Sequence, residues 1–145
     1  MGRLGHLAVQ FAHTMGAEVT VLSHSMNKKD EALTFGANHY YVTSDPTTFT
    51  ELAGKFDLIL NTVSANINVD AFLSILSMDG SLVNLGLPNK PDQHNVFSLF
   101  AGRRSITASN VDASIGRERM GITEAAQKYH ERMPPGYEYC SVVVF

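Results

Sequence analysis

Two glycines near the first residue, Gly2 and Gly5 in M-G-R-L-G-H-L-A-V-Q-F-A, lead straight into an amphipathic run. Glycines at this spacing let a backbone pass close to an anion. A helix beginning there, from Arg3 onward, offers free N–H groups and the positive end of its dipole to phosphate. Gly2 and Gly5 have the spacing of the second and third glycines of a G-x-G-x-x-G loop, the third of which lets helix and strand pack closely. The same residues also suit a flexible start and a helix-packing glycine. The residues further along the chain favour the loop. Eighteen residues beyond Gly5 a β-branched run ends at Ser23, about where such folds read the adenosine ribose. Asp or Glu at that point accepts from both ribose hydroxyls and repels a 2′-phosphate. This chain has Ser23-His24-Ser25, then Lys28 and Lys29, whose hydroxyls and ammonium groups bind a phosphate. The pattern predicts NADP rather than NAD; its alternative is a solvated loop whose lysines keep the helix soluble.

The elements that would position these residues alternate between helix and strand. Leu4, Leu7, Ala8, Phe11, Ala12 and Met15 recur at spacings of three and four, the face of a helix, and Gly16 suits its end. Strands are predicted at Val19–Leu22, His39–Thr43, Phe56–Val63, Ser81–Leu87 and Ser105–Ser109, and helices at Lys28–Phe35, Thr47–Ala53, Val69–Ser77 and Val96–Ala101. Gly36, Gly54 and Asp79-Gly80 close three of those helices. A further helix is predicted at Gly116–Glu131, broken by Pro134-Pro135-Gly136. The near-continuous apolar run F-D-L-I-L-N-T-V suits a strand covered on both faces. Such alternation predicts an α/β fold of Rossmann type, a doubly wound parallel sheet. Residues 1–133 would form the dinucleotide-binding domain and 134–145 a tail or an edge strand.

Composition narrows the field. At 145 residues with 44% hydrophobic and 17% charged residues, the chain has the make-up of one soluble globular domain. A net charge of −3 with no basic block gives no reason to expect nucleic acid. The apolar runs are too short to span a membrane, and no secretory signal opens the sequence. Cys140 is the only cysteine, which fits a reducing, cytoplasmic setting.

The order of motifs resembles the medium-chain, zinc-dependent alcohol dehydrogenases, and among them the NADP-dependent cinnamyl alcohol dehydrogenase group. The stretches that carry this are G-R-L-G-H-L-A-V-Q-F-A, G-A-E-V-T-V-L-S, F-D-L-I-L-N-T-V-S-A, G-S-L-V-N-L-G-L-P and G-R-R-S-I-T-A-S-N, within residues 2–112. The resemblance implies that Gly2, Arg3, Leu4 and Gly5 form the pyrophosphate loop and that Ser23, His24, Ser25 and Lys28 hold the 2′-phosphate. Thr62 would contact the cofactor, Gly86 would lie where the backbone passes it, and Ser109, Asn110 and Val111 would stand beside the nicotinamide. Arg3, in place of a further glycine, and His24, in place of a small residue, depart from the family pattern, which fades after residue 112.

The same resemblance implies hydride transfer between NADP and a primary alcohol or aldehyde, with zinc as Lewis acid in full-length relatives. One cysteine and six scattered histidines predict no metal site and no catalytic residue in this chain, which is expected to be inactive alone. A non-catalytic nucleotide-binding module and a zinc-free quinone reductase of the same superfamily are the alternatives. A short-chain dehydrogenase is disfavoured because no tyrosine has a lysine four residues later, and a methyltransferase because Ser23-His24-Ser25 carries no acid. A homo-oligomer is compatible with the family. No strand precedes the glycine loop, so the sheet is expected to lack its central first strand. Val19–Leu22 and Phe56–Val63 would then be unpaired edges, as in a truncated product whose fold is marginal or completed by another chain.

Overall fold

The computed structural model describes residues 3–109 and 142–144. Its elements run α1 (Arg3–Thr14), β1 (Val19–Ser23), a 3₁₀ turn (Met26–Lys28), α2 (Lys29–Thr34), β2 (His39–Val42), α3 (Thr47–Glu51), β3 (Phe56–Asn61), α4 (Val69–Ile75), β4 (Leu76–Asn84), α5 (Val96–Phe100), β5 (Ser105–Ala108) and β6 (Val142–Val144). The strands form one six-stranded sheet in the order β2-β1-β6-β3-β4-β5, and every neighbouring pair is parallel. The α/β expectation holds. The expected helix at Gly116–Glu131 lies outside the described residues.

The centre of the sheet differs from expectation. Val142–Val144 lies between β1 and β3, pairing Val142 with Val19 and Leu58, Val143 with Thr20 and Ile59, and Val144 with Val21 and Leu60. The segment expected to be a tail or an edge is thus the inner strand, and β1 and β3 are not left as edges. The physical reason is that a parallel ladder requires direction and register, not a particular order along the chain. A run of three valines suits a position enclosed on both sides.

Two hydrophobic cores sandwich the sheet. On one face, Ala8, Val9 and Ala12 of α1 and Ala32 of α2 pack with Val19, Val21, Leu58, Leu60 and Val83. On the other, Phe72, Leu73 and Ile75 of α4 and Leu52 pack with Leu22, Ile59, Leu76 and Leu82. Alternate residues of β1, β3 and β4 therefore serve opposite faces, as the pleat dictates. The buried face of α1 is Gly5, Ala8, Val9 and Ala12, with Leu4 and Phe11 half-buried against the same core, so the predicted stripe holds except at two of its bulky residues. Leu7 and Met15 are exposed, at 40% and 39%. Small residues bring the helix axis close to the sheet, and that closeness decides the face over the size of the apolar side chains.

Gly16, Gly36 and Gly54 close their elements with φ of +83°, +105° and +69°, the left-handed geometry expected of them. Asp79-Gly80 closes no helix. Instead α4 stops at Ile75 and the chain passes straight into β4, whose pairing with β3 shifts between Leu76 and Ser81. Asp79, at φ +63°, turns the backbone inside that irregularity, and the regular ladder starts at Ser81, where a strand was expected.

Candidate functional site

In an open parallel sheet, ligands bind in the crevice beyond the carboxyl ends of the strands, at the switch point of the winding. Here β6 is that point, because the chain winds away from it on both sides. The carboxyl ends are Ser23 of β1, Val144 of β6, Asn61 of β3, Asn84 of β4 and Ala108 of β5. Ser23, Thr62, Gly86 and Ser109 lie at or just past these ends, so the fold gathers four residues scattered along the sequence. Leu4 and Gly5 belong to the first turns of α1, which packs against β1 and β6. Gly5 is buried, as a glycine that lets helix and strand approach must be. Of Arg3 the position is described, as the first residue of α1. Gly2, Asn110 and Val111 lie outside the described residues.

On the β1 side, Ser23, His24, Ser25 and Lys28 form one short loop running into the 3₁₀ turn. His24 and Lys28 are exposed, and Ser23 and Ser25 half-buried. Ser25 is the residue before the turn, in extended geometry, yet its side chain makes no capping bond. The loop is fixed through its backbone. Thr43 N donates to Ser23 O at 2.8 Å, and the Tyr40 hydroxyl donates to Ser25 O at 2.6 Å. This donor set of hydroxyls and an exposed ammonium, with no acid from Ser23 to Lys29, fits the 2′-phosphate of NADP. Sequence reasoning missed Tyr40. Its signal was a tyrosine on a strand adjacent to the loop, which becomes legible once β1 and β2 are paired.

On the β3 side, the contacts are between backbones. Asn61 O accepts from Leu85 N at 2.8 Å and from Gly86 N at 3.1 Å, and Asn84 O accepts from Ser109 N at 3.0 Å. A Cβ on Gly86 would stand 2.2 Å from Val63 O, so only glycine fits this crossing. The glycine at that position therefore has a packing requirement of its own. The buried Asn61 and its partner Asn84, both unremarked in the sequence, join side chains at 2.9 Å.

His6 and His13 are helix residues, as expected. His6 Nε2 stands 2.9 Å from Glu31 Oε1 and its ring lies 4.6 Å from that of Phe35. The His13 ring packs under Gly36, 2.7 Å from where a Cβ would be. Among the described residues no three His, Cys, Asp or Glu side chains are grouped as a metal ion requires, so these residues do not fit a zinc site. No helix among them is long and apolar enough to cross a membrane.

The model of the zinc-binding dehydrogenase family matches residues 4–127. The chain belongs to that family. It is 70% identical over 111 residues to the Bacillus subtilis protein named "Probable formaldehyde dehydrogenase AdhA", covering 77% of this chain and 32% of the relative. It is 55% identical over the same length, with the same coverage, to NADP-dependent alcohol dehydrogenase C 1 of Mycolicibacterium smegmatis. Among solved structures, a cinnamyl alcohol dehydrogenase of Sorghum bicolor superposes with a TM-score of 0.73 at 29% identity, covering 86% of this chain and 35% of that one. The Helicobacter pylori CAD complexed with NADP(H) gives 0.62 at 27% identity, covering 86% and 33%. The chain thus spans about a third of the length of the curated relatives it matches, and what it shares with this family is a partial nucleotide-binding domain.

Proposed function

We propose that this chain is the NADP(H)-binding part of an alcohol/aldehyde oxidoreductase. The observation that carries the reading is the gathering of Ser23, Thr62, Gly86 and Ser109 at one end of a parallel sheet, with Ser25 and Lys28 beside them. In this reading Ser23, His24, Ser25 and Lys28 hold the 2′-phosphate. The amino end of α1, with Gly2, Arg3, Leu4 and Gly5, takes the pyrophosphate. Thr62 and Gly86 line the passage to the nicotinamide, and Ser109, Asn110 and Val111 flank its ring. The bound nicotinamide supplies hydride chemistry; this chain binds and orients it. Zinc and the remaining substrate pocket belong to full-length relatives, so the chain alone is inactive.

The substrate of the whole enzyme is a small primary alcohol or aldehyde, with no nucleic acid or membrane involved, in the cytoplasm. A second copy of the chain is a fitting partner. Ser105–Ala108 is an outer strand of the described sheet, and Val96, Phe97 and Phe100 of the preceding helix are 69%, 78% and 82% exposed.

The test is a fluorescence titration of the purified chain with NADPH beside NADH. The reading expects saturable NADPH binding about tenfold or more tighter than NADH, the scale of one charged contact to phosphate. Equal affinities would remove the 2′-phosphate assignment, and no binding of either would overturn the reading.

A further inference from the structure

We infer that Asn61 and Asn84 are positioning residues that set the geometry of the nicotinamide half of the site, an inference that rests on the NADP(H) reading above. The two are register partners at the carboxyl ends of β3 and β4. Asn61, only 2% exposed, engages both ends of its side-chain amide. Its Nδ2 donates to Asn84 Oδ1 at 2.9 Å, and its Oδ1 accepts from Val63 N at 2.9 Å. Its backbone carbonyl takes Leu85 N and Gly86 N, while that of Asn84 takes Ser109 N. The Asn61–Asn84 pair therefore stands at the root of all three loops that carry Thr62, Gly86 and Ser109.

The buried Asn61 amide, with the half-buried Asn84 beside it, is a costly way to end an apolar ladder, because it must be stripped of water and re-paired. Leucines share the branching of asparagine and would continue the apolar ladder. What an amide adds is direction: it reaches past the end of β3 to hold Val63, whose carbonyl already abuts Gly86. The pair stands only on the β3 side of β6. In a doubly wound fold that side serves one nucleotide of the cofactor, and the β1 side serves the adenosine. Removing the pair should therefore loosen the nicotinamide half and leave the 2′-phosphate half alone.

The experiment measures Kd for NADPH and for 2′,5′-ADP, which carries only the adenosine half, on the chain and on Asn84→Leu. The expected result is about tenfold weaker NADPH binding with 2′,5′-ADP unchanged. Asn84→Asp, which keeps an acceptor for Asn61 Nδ2, should restore NADPH binding. If circular dichroism shows Asn84→Leu to be unfolded, the double replacement Asn61→Leu with Asn84→Leu removes both side chains' amides together and releases Val63 N, without stranding the Asn61 Nδ2. It should show the same split between ligands. Equal losses for the two ligands, or none, would overturn the positioning role and leave the NADP(H) reading standing. Failure of the unaltered chain to bind either ligand would overturn both.

Discussion

The two halves of the sheet that meet at β6 end in different ways. Beyond β1 the chain leaves as a polar loop, tied at its backbone by Thr43 N and the Tyr40 hydroxyl, with Lys28 and His24 free in solvent. Beyond β3, β4 and β5 the ends are knitted to one another through Asn61, Asn84 and Gly86. One half presents side chains, the other presents backbone. Recognition of a charged group tolerates a flexible lysine, since the interaction is a point charge with little angular demand. Presenting a ring to a second substrate demands a fixed wall, and backbone locked by buried hydrogen bonds provides one. The comparison predicts that substitutions in the β1 half change which cofactor binds, whereas those in the β3 half change whether it binds in a usable geometry.

The largest effect is expected at Gly86. With Val63 O 2.2 Å from a new Cβ, Gly86→Ala must push two loop backbones apart, and neither is a flexible side chain that can swing away. A loss of about 3 kcal/mol in stability is the expected scale for such overpacking, together with loss of NADPH binding. Urea unfolding followed by titration measures both. A Gly86→Ala chain of unchanged midpoint would show that the β3 half is not rigid, and the contrast between the halves would fail.

In the β1 half the expected changes are in preference. Lys28→Glu should lower the ratio of NADPH to NADH affinity by about tenfold, most strongly at low salt, because an exposed charge is screened. Its folding stability should stay within about 0.5 kcal/mol of the original, as at most surface positions. Tyr40→Phe is subtler. It removes the bond to Ser25 O and keeps the ring, which packs against the α1-side core. About 1 kcal/mol of stability is the usual net worth of such a bond. NADPH binding should weaken about threefold while NADH binding changes less, because in the proposed reading the loop holds the 2′-phosphate that NADH lacks. Parallel losses for both cofactors would mean that Tyr40 supports the whole crevice, not its adenosine end.

How much of this was legible in the sequence depends on distance along the chain. The β-branched and apolar runs at Val19–Ser23 and Phe56–Asn61 announced their strands, and glycines 16, 36 and 54 announced their turns, because those signals are local. The location of Val142–Val144 was not local. Nothing in three valines says which two strands they will separate, and the pairing with β1 joins residues more than a hundred positions apart. The candidate site divided in the same way. Ser23, Ser25 and Lys28 could be read from one loop, whereas the Asn61–Asn84 pair exists only once β3 and β4 are in register. On α1 the predicted stripe held at Leu4, Ala8, Phe11 and Ala12 and failed at Leu7 and Met15, because close packing on a sheet selects small side chains and leaves those two bulky ones outside.

The smallest effect sharpens the comparison from the far side of the β3 half. Asp70, in the first turn of α4, accepts from Asn95 N at 2.9 Å and so ties α5 to α4. That backbone bond, then the Ser98 hydroxyl and more weakly the charge of His94, holds its carboxyl below its ordinary 3.8, against a small opposing effect of desolvation. A carboxylate whose folded pKa lies below its unfolded one adds stability above the unfolded value and loses it as pH falls through the folded value. Stability of the chain should therefore exceed that of Asp70→Asn at neutral pH by a margin that closes below about pH 4. Unfolding midpoints of the two chains, measured from pH 7 down to pH 3, would reveal the closure. A margin constant across that range would mean that the Asn95 bond serves a protonated carboxyl as well as a carboxylate. In that case α5 is held by packing of Leu99 against the α4-side core, and the tightness of the β3 half owes nothing to charge.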